Sequence, residues 1–418
     1  MMSSRRNAVY ALLIASLLTG LFTGRAFFFT LSYLFAGLLI VSLIWAWISV
    51  RWLTINRKTR ARRAQVGRKL EETFIIYNRS ILPKLWLEVR DHSTLPNHYA
   101  SHVVPALGGR KRYHWTVETL CLVRGEFELG PVTLKSGDPF GFFLSPRQLD
   151  STSKVIVYPQ TIPINHIDLP IGQMSGGDAQ RRRSHNVTTN AAGVRDYVSG
   201  DSFNRIHWSS TARKDRLIVK EFEIDPLVDI WLFTDFSSTS IVDDPLLERT
   251  GPNRSIVATS TGIPASTEEY AVVIAASMSK YFIDSERALG FAAYVPTREV
   301  IQPEHGNRQL GHILQTLAVA RSLSPYSLAQ MLALETPYFT RGTTLVIITS
   351  SLEPGWVTEA QILSRRGIRP MCILVDPYSF GGPTPPTELQ ALLQLARIPT
   401  ITVKKNDDIG AVLSQRSI

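Results

Sequence analysis

Cysteine is nearly absent: Cys121 and Cys372 are the only two in 418 residues, and both stand among apolar, strand-like neighbours. No C-x-x-C pair or Cys/His ligand spacing includes them, which excludes a disulfide scaffold and a zinc ribbon. Buried free thiols in a reducing compartment are the expectation. Nucleotide-binding loops are missing too, with neither a G-x-x-x-x-G-K-[ST] nor a G-x-G-x-x-G stretch, and no G-x-S-x-G elbow sets up a serine nucleophile. His92, His98, His102 and His114 fall close together in sequence, but their spacing suits no metal template. Solvated or core-edge histidines are expected there. Acidic residues are the scarcer charge, 35 against 45 basic, for a net charge of +10. Where that excess sits decides whether it serves nucleic acid, a membrane surface or an acidic partner.

Two apolar runs open the chain, Asn7 to Thr23 and Ala26 to Val50, with only Gly24-Arg25 between them. The first is at the short end for a membrane span and the second is ample. A cleaved signal peptide would not be followed at once by a second apolar run. Arg5 and Arg6 precede the pair, and Arg51, Arg57, Lys58, Arg60, Arg62, Arg63, Arg68 and Lys69 follow it, against Arg25 alone at the turn. The positive-inside bias predicts a hairpin over residues 1–52 in the inner (cytoplasmic) membrane, both termini cytoplasmic, and a basic juxtamembrane linker over 53–69. Trp45, Trp47 and Trp52 then lie near the cytoplasmic interface. Topology and attraction to anionic headgroups account for much of the basic excess, so no nucleic-acid partner is expected.

From residue 70 to 168 the pattern shifts to period two. YHWTVETLCLVRGEFELGPVTL alternates over much of its length, with Gly125, Gly130 and Pro131 as punctuation, which predicts a β-rich, sandwich-like domain. Residues 169–224 read as an exposed Gly- and Arg-rich linker leading into a dense polar segment. From 225 to 418 continuous apolar strands (VDIWLFTD, LGFAAYV, TTLVIITS, MCILVDP) alternate with helical stretches. That alternation calls for a parallel sheet covered on both faces. The class is α+β multidomain.

The segment Gly193–Glu223 concentrates Arg195, Tyr197, Gly200, Asp201, Arg205, His207, Trp208 and Arg213. Gly200-Asp201 predicts a turn and a helix start capped by the Asp201 carboxylate, SFNRIHWSSTAR a short helix, Lys214-Asp215 a turn and LIVKEFEI a strand. The pattern R-x-Y-x-x-G-D-x-x-x-R-I-x-W-x-x-x-A-R resembles that of the DUF58 family, as do RGEFELGP and SGDPFGFF further back. The resemblance implies a prokaryotic, membrane-anchored protein of undefined biochemistry with a vWA-like, doubly wound C-terminal domain, often encoded near MoxR-type AAA ATPases.

Asp235, Ser237 and Thr239 close the strand VDIWLFTD and resemble the D-x-S-x-S metal site of von Willebrand A domains. A carboxylate and two hydroxyls are hard oxygen ligands suited to Mg²⁺. The T-D-G that usually adds a second acid is Thr349-Ser350-Ser351 here, so the resemblance implies a degenerate site and no cofactor need be bound.

Two readings of the dense segment compete. In one, Asp201 caps a helix, Arg195 and Arg213 pair with carboxylates such as Asp196 or Glu221, and Trp208 fills a domain junction, a clasp that can also dock a protein. In the other, His207 with Asp201 or Asp196 does acid–base chemistry on an anionic substrate held by the arginines. No nucleophile is set up beside them, which favours a non-enzymatic, membrane-tethered interaction or assembly factor, with a MoxR-type AAA ATPase as the partner the resemblance implies.

Overall fold

The computed structural model describes residues 2–170, 191–198, 206–222, 229–243, 262–295 and 297–414; for 2–3, 191–195 and 220–222 only the backbone is described. The chain forms mixed α/β structure with two N-terminal apolar helices and several sheets, in two units, the first ending at Gln160 and the second beginning at Thr161.

The first unit opens with helices α1 (Met2–Thr23) and α2 (Ala26–Ser49). Both are long and apolar enough to cross a membrane. Gly24 makes the turn at φ 68°, a left-handed backbone that only glycine adopts freely, and its N–H is bonded to the Gly20 carbonyl at 2.9 Å. The Ser16 and Ser32 hydroxyls meet at 2.8 Å between the helices. Leu21, Phe22, Phe27, Ile40 and Leu43 stay exposed, leaving an apolar outer face that none of the described residues covers.

Ten strands follow: β1 (Leu53–Thr59), β2 (Arg63–Gln65), β3 (Lys69–Asn78), β4 (Leu87–Asp91), β5 (His102–Val104), β6 (Arg112–Leu120), β7 (Gly125–Leu129), β8 (Val132–Gly137), β9 (Leu144–Leu149) and β10 (Ser153–Tyr158). Sheets β1-β3-β6 and β5-β4-β8-β9 bury one core between them, built on Phe74, Ile76, Leu87, Val89, Val132 and Leu134. Sheet β2-β10-β7 closes a smaller core around Leu70, Cys121, Leu129 and Val155. Strict alternation along β3 turns every second side chain inward.

The structure departs from two of the sequence boundaries. Residues 53–59 and 63–65, expected as part of a linker, are strands β1 and β2. Leu53, Ile55, Arg57 and Thr59 alternate inward, and the basic residues that suggested a linker mostly occupy the opposite face. Residues 161–168 group with the second unit rather than the β domain: Ile164 and Ile167 are buried, and the Ile162 N–H donates to Ser277 Oγ at 2.9 Å.

The second unit contains β11 (Ala191–Asp196), α3 (Trp208–Lys214), β12 (Ile218–Phe222), β13 (Ile230–Thr234), α4 (Thr267–Asp284), β14 (Leu289–Val295), β15 (Thr297–Glu304), α5 (Asn307–Val319), α6 (Leu328–Glu335), β16 (Thr344–Thr349), α7 (Gly355–Arg365), β17 (Arg369–Val375), α8 (Thr387–Leu395), β18 (Thr400–Val403) and α9 (Ile409–Leu413). The main sheet runs β15-β14-β13-β16-β17-β18, parallel throughout except for the antiparallel edge strand β15. Strands β14, β13 and β16 are buried at every position, as a sheet covered on both faces requires. Helix α4 is apolar almost all round and correspondingly buried, while α6, α7 and α8 close a core over Trp231, Phe233, Leu345, Ile347 and Trp356. Both cysteines are buried free thiols, and burial pushes each thiol pKa up.

Candidate functional site

Strand β13 lies at the centre of the main sheet, between β14 on one side and β16 on the other, where the direction of strand addition reverses. Open α/β sheets bind ligands beyond the C-terminal strand ends at such a point. Asp235 follows β13 directly and Thr349-Ser350-Ser351 end β16 beside it, all four buried. One carboxylate oxygen of Asp235 accepts the Ser237 N–H at 2.9 Å, and the other accepts the Thr349 hydroxyl at 2.7 Å. Ser237 Oγ and Thr239 Oγ1 meet at 2.8 Å, Ser240 Oγ donates to the Ser237 carbonyl, and Ser350 Oγ donates to the Ser240 carbonyl at 2.6 Å. Ser324 ties the turn from the far side, accepting from Ser238 N–H through its carbonyl and donating its own N–H to Phe236.

Burial holds the Asp235 carboxyl above the usual carboxylate range. The bonds from Thr349, Ser237 and Ser240 oppose that rise, and the charge of the exposed Glu353 adds to it. This donor set suits a closed hydrogen-bonded turn better than Mg²⁺. Both carboxylate oxygens already have donors, the ionised form is disfavoured, and the second acid of a D-x-S-x-S site is replaced by Ser350, whose hydroxyl is turned onto a carbonyl. Among the described residues no group of three His, Cys, Asp or Glu side chains is arranged to hold a metal ion.

The dense polar segment is an antiparallel ribbon with a helix set into it. β11 pairs with β12, Tyr197 N–H bonds the Leu217 carbonyl at 2.9 Å, and His207 N–H bonds the Ile218 carbonyl at 2.8 Å. Helix α3 starts at Trp208, later than the sequence suggested. Its cap is His207, whose Nδ1 accepts the Ser210 N–H at 3.3 Å and lies 2.7 Å from the Ser210 hydroxyl. Imidazole nitrogen performs here the task expected of Asp201. Gly200, Asp201 and Arg205 lie outside the described residues, as do the side chains of Arg195 and Glu221. The turn after α3 falls where expected, with Asp215 at φ 48°.

Trp208 is 66% exposed, so it fills no apolar core, and Arg213, Lys214 and Arg216 are exposed with it. Asp196 pairs with Arg216 at 3.1 Å, and both side chains are largely in solvent. The described part of the segment is thus an open Trp/Arg face, with its histidine committed to a helix cap.

A second polar centre escaped the sequence reading. Inside the β sandwich, Arg57, Glu72, Asp91 and His98 have side chains that are all but fully buried. Arg57 pairs with Asp91 and lies 4.7 Å over the Phe74 ring. His98 Nε2 is 3.1 Å from Glu72 and 3.3 Å from Asp91, while Nδ1 meets the Thr119 hydroxyl at 2.7 Å. Burial pulls the His98 pKa down, but the bonds to Asp91 and Glu72 outweigh it and lift it to about 9. Burial pushes the Asp91 carboxyl up, and its bonds to His98 and Ser93 with the Arg57 charge hold it below the usual range. Two cations thus balance two anions among buried side chains. The inward alternation of β1 and β3 was the available signal, since it carries Arg57 and Glu72 into the core. Of the other histidines, His102 stacks against Tyr113 and Trp115, and His92 bonds Thr133.

The family model that matches is DUF58, a protein of unknown function, over residues 193–244, a span that holds both the ribbon and the Asp235 turn. The uncharacterized protein YeaD of Bacillus subtilis (strain 168) is 22% identical over 326 residues, 74% of this chain and 75% of that protein. Solved structures with partial likeness include the pilus adhesin SpaC of Lactobacillus rhamnosus GG, 11% identical with TM-score 0.30, covering 44% of this chain and 29% of the adhesin. Another is the CARDB domain of a Pyrococcus furiosus protein, 18% identical with TM-score 0.19, covering 25% of this chain and 86% of that domain. Likenesses that weak carry no argument about fold or activity. Residues 193–244 are thus similar to the DUF58 family, within a chain that aligns with YeaD along three quarters of its length.

Proposed function

We propose that this chain is a membrane-anchored interaction or assembly factor whose docking face is the β11–α3–β12 ribbon. The exposure of Trp208 carries the reading. An indole two-thirds in solvent on a seven-residue helix adds little to the fold. Tryptophan and arginine are the residues that dominate protein-binding hot spots, and Arg213 and Arg216 lie close by in sequence. The two apolar helices serve as the anchor. The basic residues at Arg5, Arg6, Arg51 and Lys58, against Arg25 alone at the turn, support the inner membrane with both termini in the cytoplasm. The strand order with one antiparallel edge and an acid at the end of the central strand supports a vWA-like second unit. Its Asp235 turn acts as a hydrogen-bonded closure without a bound cation. The partner we assign, from the family resemblance, is a MoxR-type AAA ATPase.

The test is a pull-down of the full chain from detergent-solubilised native membranes, comparing wild type with Trp208→Ala and Arg213→Glu. Both variants should melt as wild type does and should lose a AAA ATPase that wild type retains. Equal recovery by all three proteins, or no saturable partner for wild type, overturns the proposal.

A further inference from the structure

The passage from α2 to the β domain is very short. Ser49 ends the helix and Leu53 begins β1. Four residue steps reach at most about 14 Å, while each headgroup layer of a bilayer is roughly 5–8 Å thick. If α2 spans a membrane, the near end of the sandwich lies against the headgroups.

That end of the sandwich is fastened to the helices. Lys84 is buried, and its Nζ donates to the Ile48 carbonyl in the last turn of α2 at 2.7 Å, which sets the 79–86 loop level with the helix end. Arg147 donates to the Val50 carbonyl at 3.1 Å, and the Arg6 guanidinium lies 5.9 Å from the Phe143 ring. Gly109 lets a third loop press on the first, since a Cβ there would fall 1.9 Å from the Ile81 carbonyl oxygen.

The loops so placed are apolar where they face outward. Ile81 is 76% and Phe140 50% exposed, and Leu82, Leu85, Trp86 and Leu144 are exposed with them. Arg79, Arg110 and Lys111 are exposed in the same loops. The loops spanning 79–86, 105–111 and 138–144 hold one acid, Asp138. It is buried and accepts the Phe140 and Phe143 N–H groups at 3.0 and 2.6 Å, so no carboxylate faces outward. Exposed aromatic and aliphatic side chains mixed with cations, without acids, match the chemistry of an anionic interfacial layer.

We infer that the 79–86 and 138–144 loops form a bilayer seat: Ile81 and Phe140 enter the interfacial layer of the leaflet where α2 ends, and Arg79, Arg110 and Lys111 meet its anionic headgroups. This rests on the membrane-anchored reading above. The occupant is lipid because the patch continues from the end of a spanning helix, at a depth that the three-residue connection fixes.

The test uses the full chain in vesicles of phosphatidylethanolamine and phosphatidylglycerol, with nitroxide labels on Ile81→Cys and Phe140→Cys. Both native cysteines are buried, so labelling falls on the introduced thiols. Leu17→Cys in α1 reports the acyl region. Asp150→Cys, exposed beyond the far end of β9, reports water. Collision with oxygen should exceed collision with a water-soluble nickel chelate at 81 and 140, as at 17, and the order should reverse at 150. Leu82→Cys and Leu144→Cys repeat the measurement with independent labels. If 81 and 140 read as aqueous as 150 while 17 reads as lipid, the seat is refuted and the anchor stands. Exclusion of both colliders at 81 and 140 means that protein covers the patch, and also refutes it. If 17 reads as aqueous, the anchor fails and the seat with it.

Discussion

Replacing His98 by Gln probes the sandwich where its charge is most concentrated. The folded imidazole titrates near 9 against 6.5 for the free side chain. A raised histidine pKa stabilises fully below the unfolded value and loses its effect as pH climbs through the folded one. Linkage between those two values gives about 2 kcal/mol still present at pH 7.5 and almost none at pH 10. His98→Gln removes this contribution outright and leaves Glu72 and Asp91 sharing Arg57, so about 3 kcal/mol or more should be lost at neutral pH. Hydrogen exchange at the β3 and β6 amides reads the β domain alone, and the wild-type-to-variant ratio at each pH cancels intrinsic exchange. That ratio should fall about 30-fold between pH 7.5 and pH 10, the equivalent of the 2 kcal/mol. A ratio constant across the interval would mean that His98 is not charged in the fold, and the network as described would be wrong.

Three other outcomes follow from side chains already placed. Asp235→Asn should melt within about 1 kcal/mol of wild type or above it, because it removes a disfavoured buried charge, whereas Asp235→Leu should lose about 2 kcal/mol by orphaning the Thr349 and Ser237 donors. Added Mg²⁺ should leave both melts unmoved, and a Mg²⁺-dependent rise that Asp235→Asn abolishes would restore the metal site. Glu335 is buried and takes two bonds from Arg298 and one from Tyr294. Glu335→Ala should therefore cost about 2–4 kcal/mol in a thermal or urea melt, and a loss under 0.5 kcal/mol would refute the weight given to it. Lys84→Met should speed tryptic cleavage after Arg51 in detergent by releasing the end of α2, and an unchanged rate would show that the junction is held by other contacts.

Periodicity carried most of the architecture into view. The helix pair, the strand ending at Asp235 and the alternation from β13 to β18 were all legible, because helices and buried parallel strands impose long, regular apolar patterns. β15 was not: Thr297–Glu304 is an exposed edge strand with a proline inside, and it carries little hydrophobic signal. β1 was read as linker because charge outweighed its alternation, and Arg57 turned out to face a buried Asp. The helix cap moved from Asp201 to His207 because local capping preference does not register where a ribbon delivers the chain. His98 was passed over for the same kind of reason. Its partners come from β3, from the end of β4 and from β6, and no spacing along the chain encodes that meeting.

The three-residue join between α2 and β1, bolted by Lys84, has a mechanical consequence. A 24-residue helix is about 36 Å long, which exceeds a hydrocarbon core of about 30 Å, so an anchored α2 leans and leans further in a thinner bilayer. A slack tether would absorb that lean. A bolted one converts it into rotation of the whole sandwich, so that local membrane thickness sets how its surface is aimed away from the bilayer.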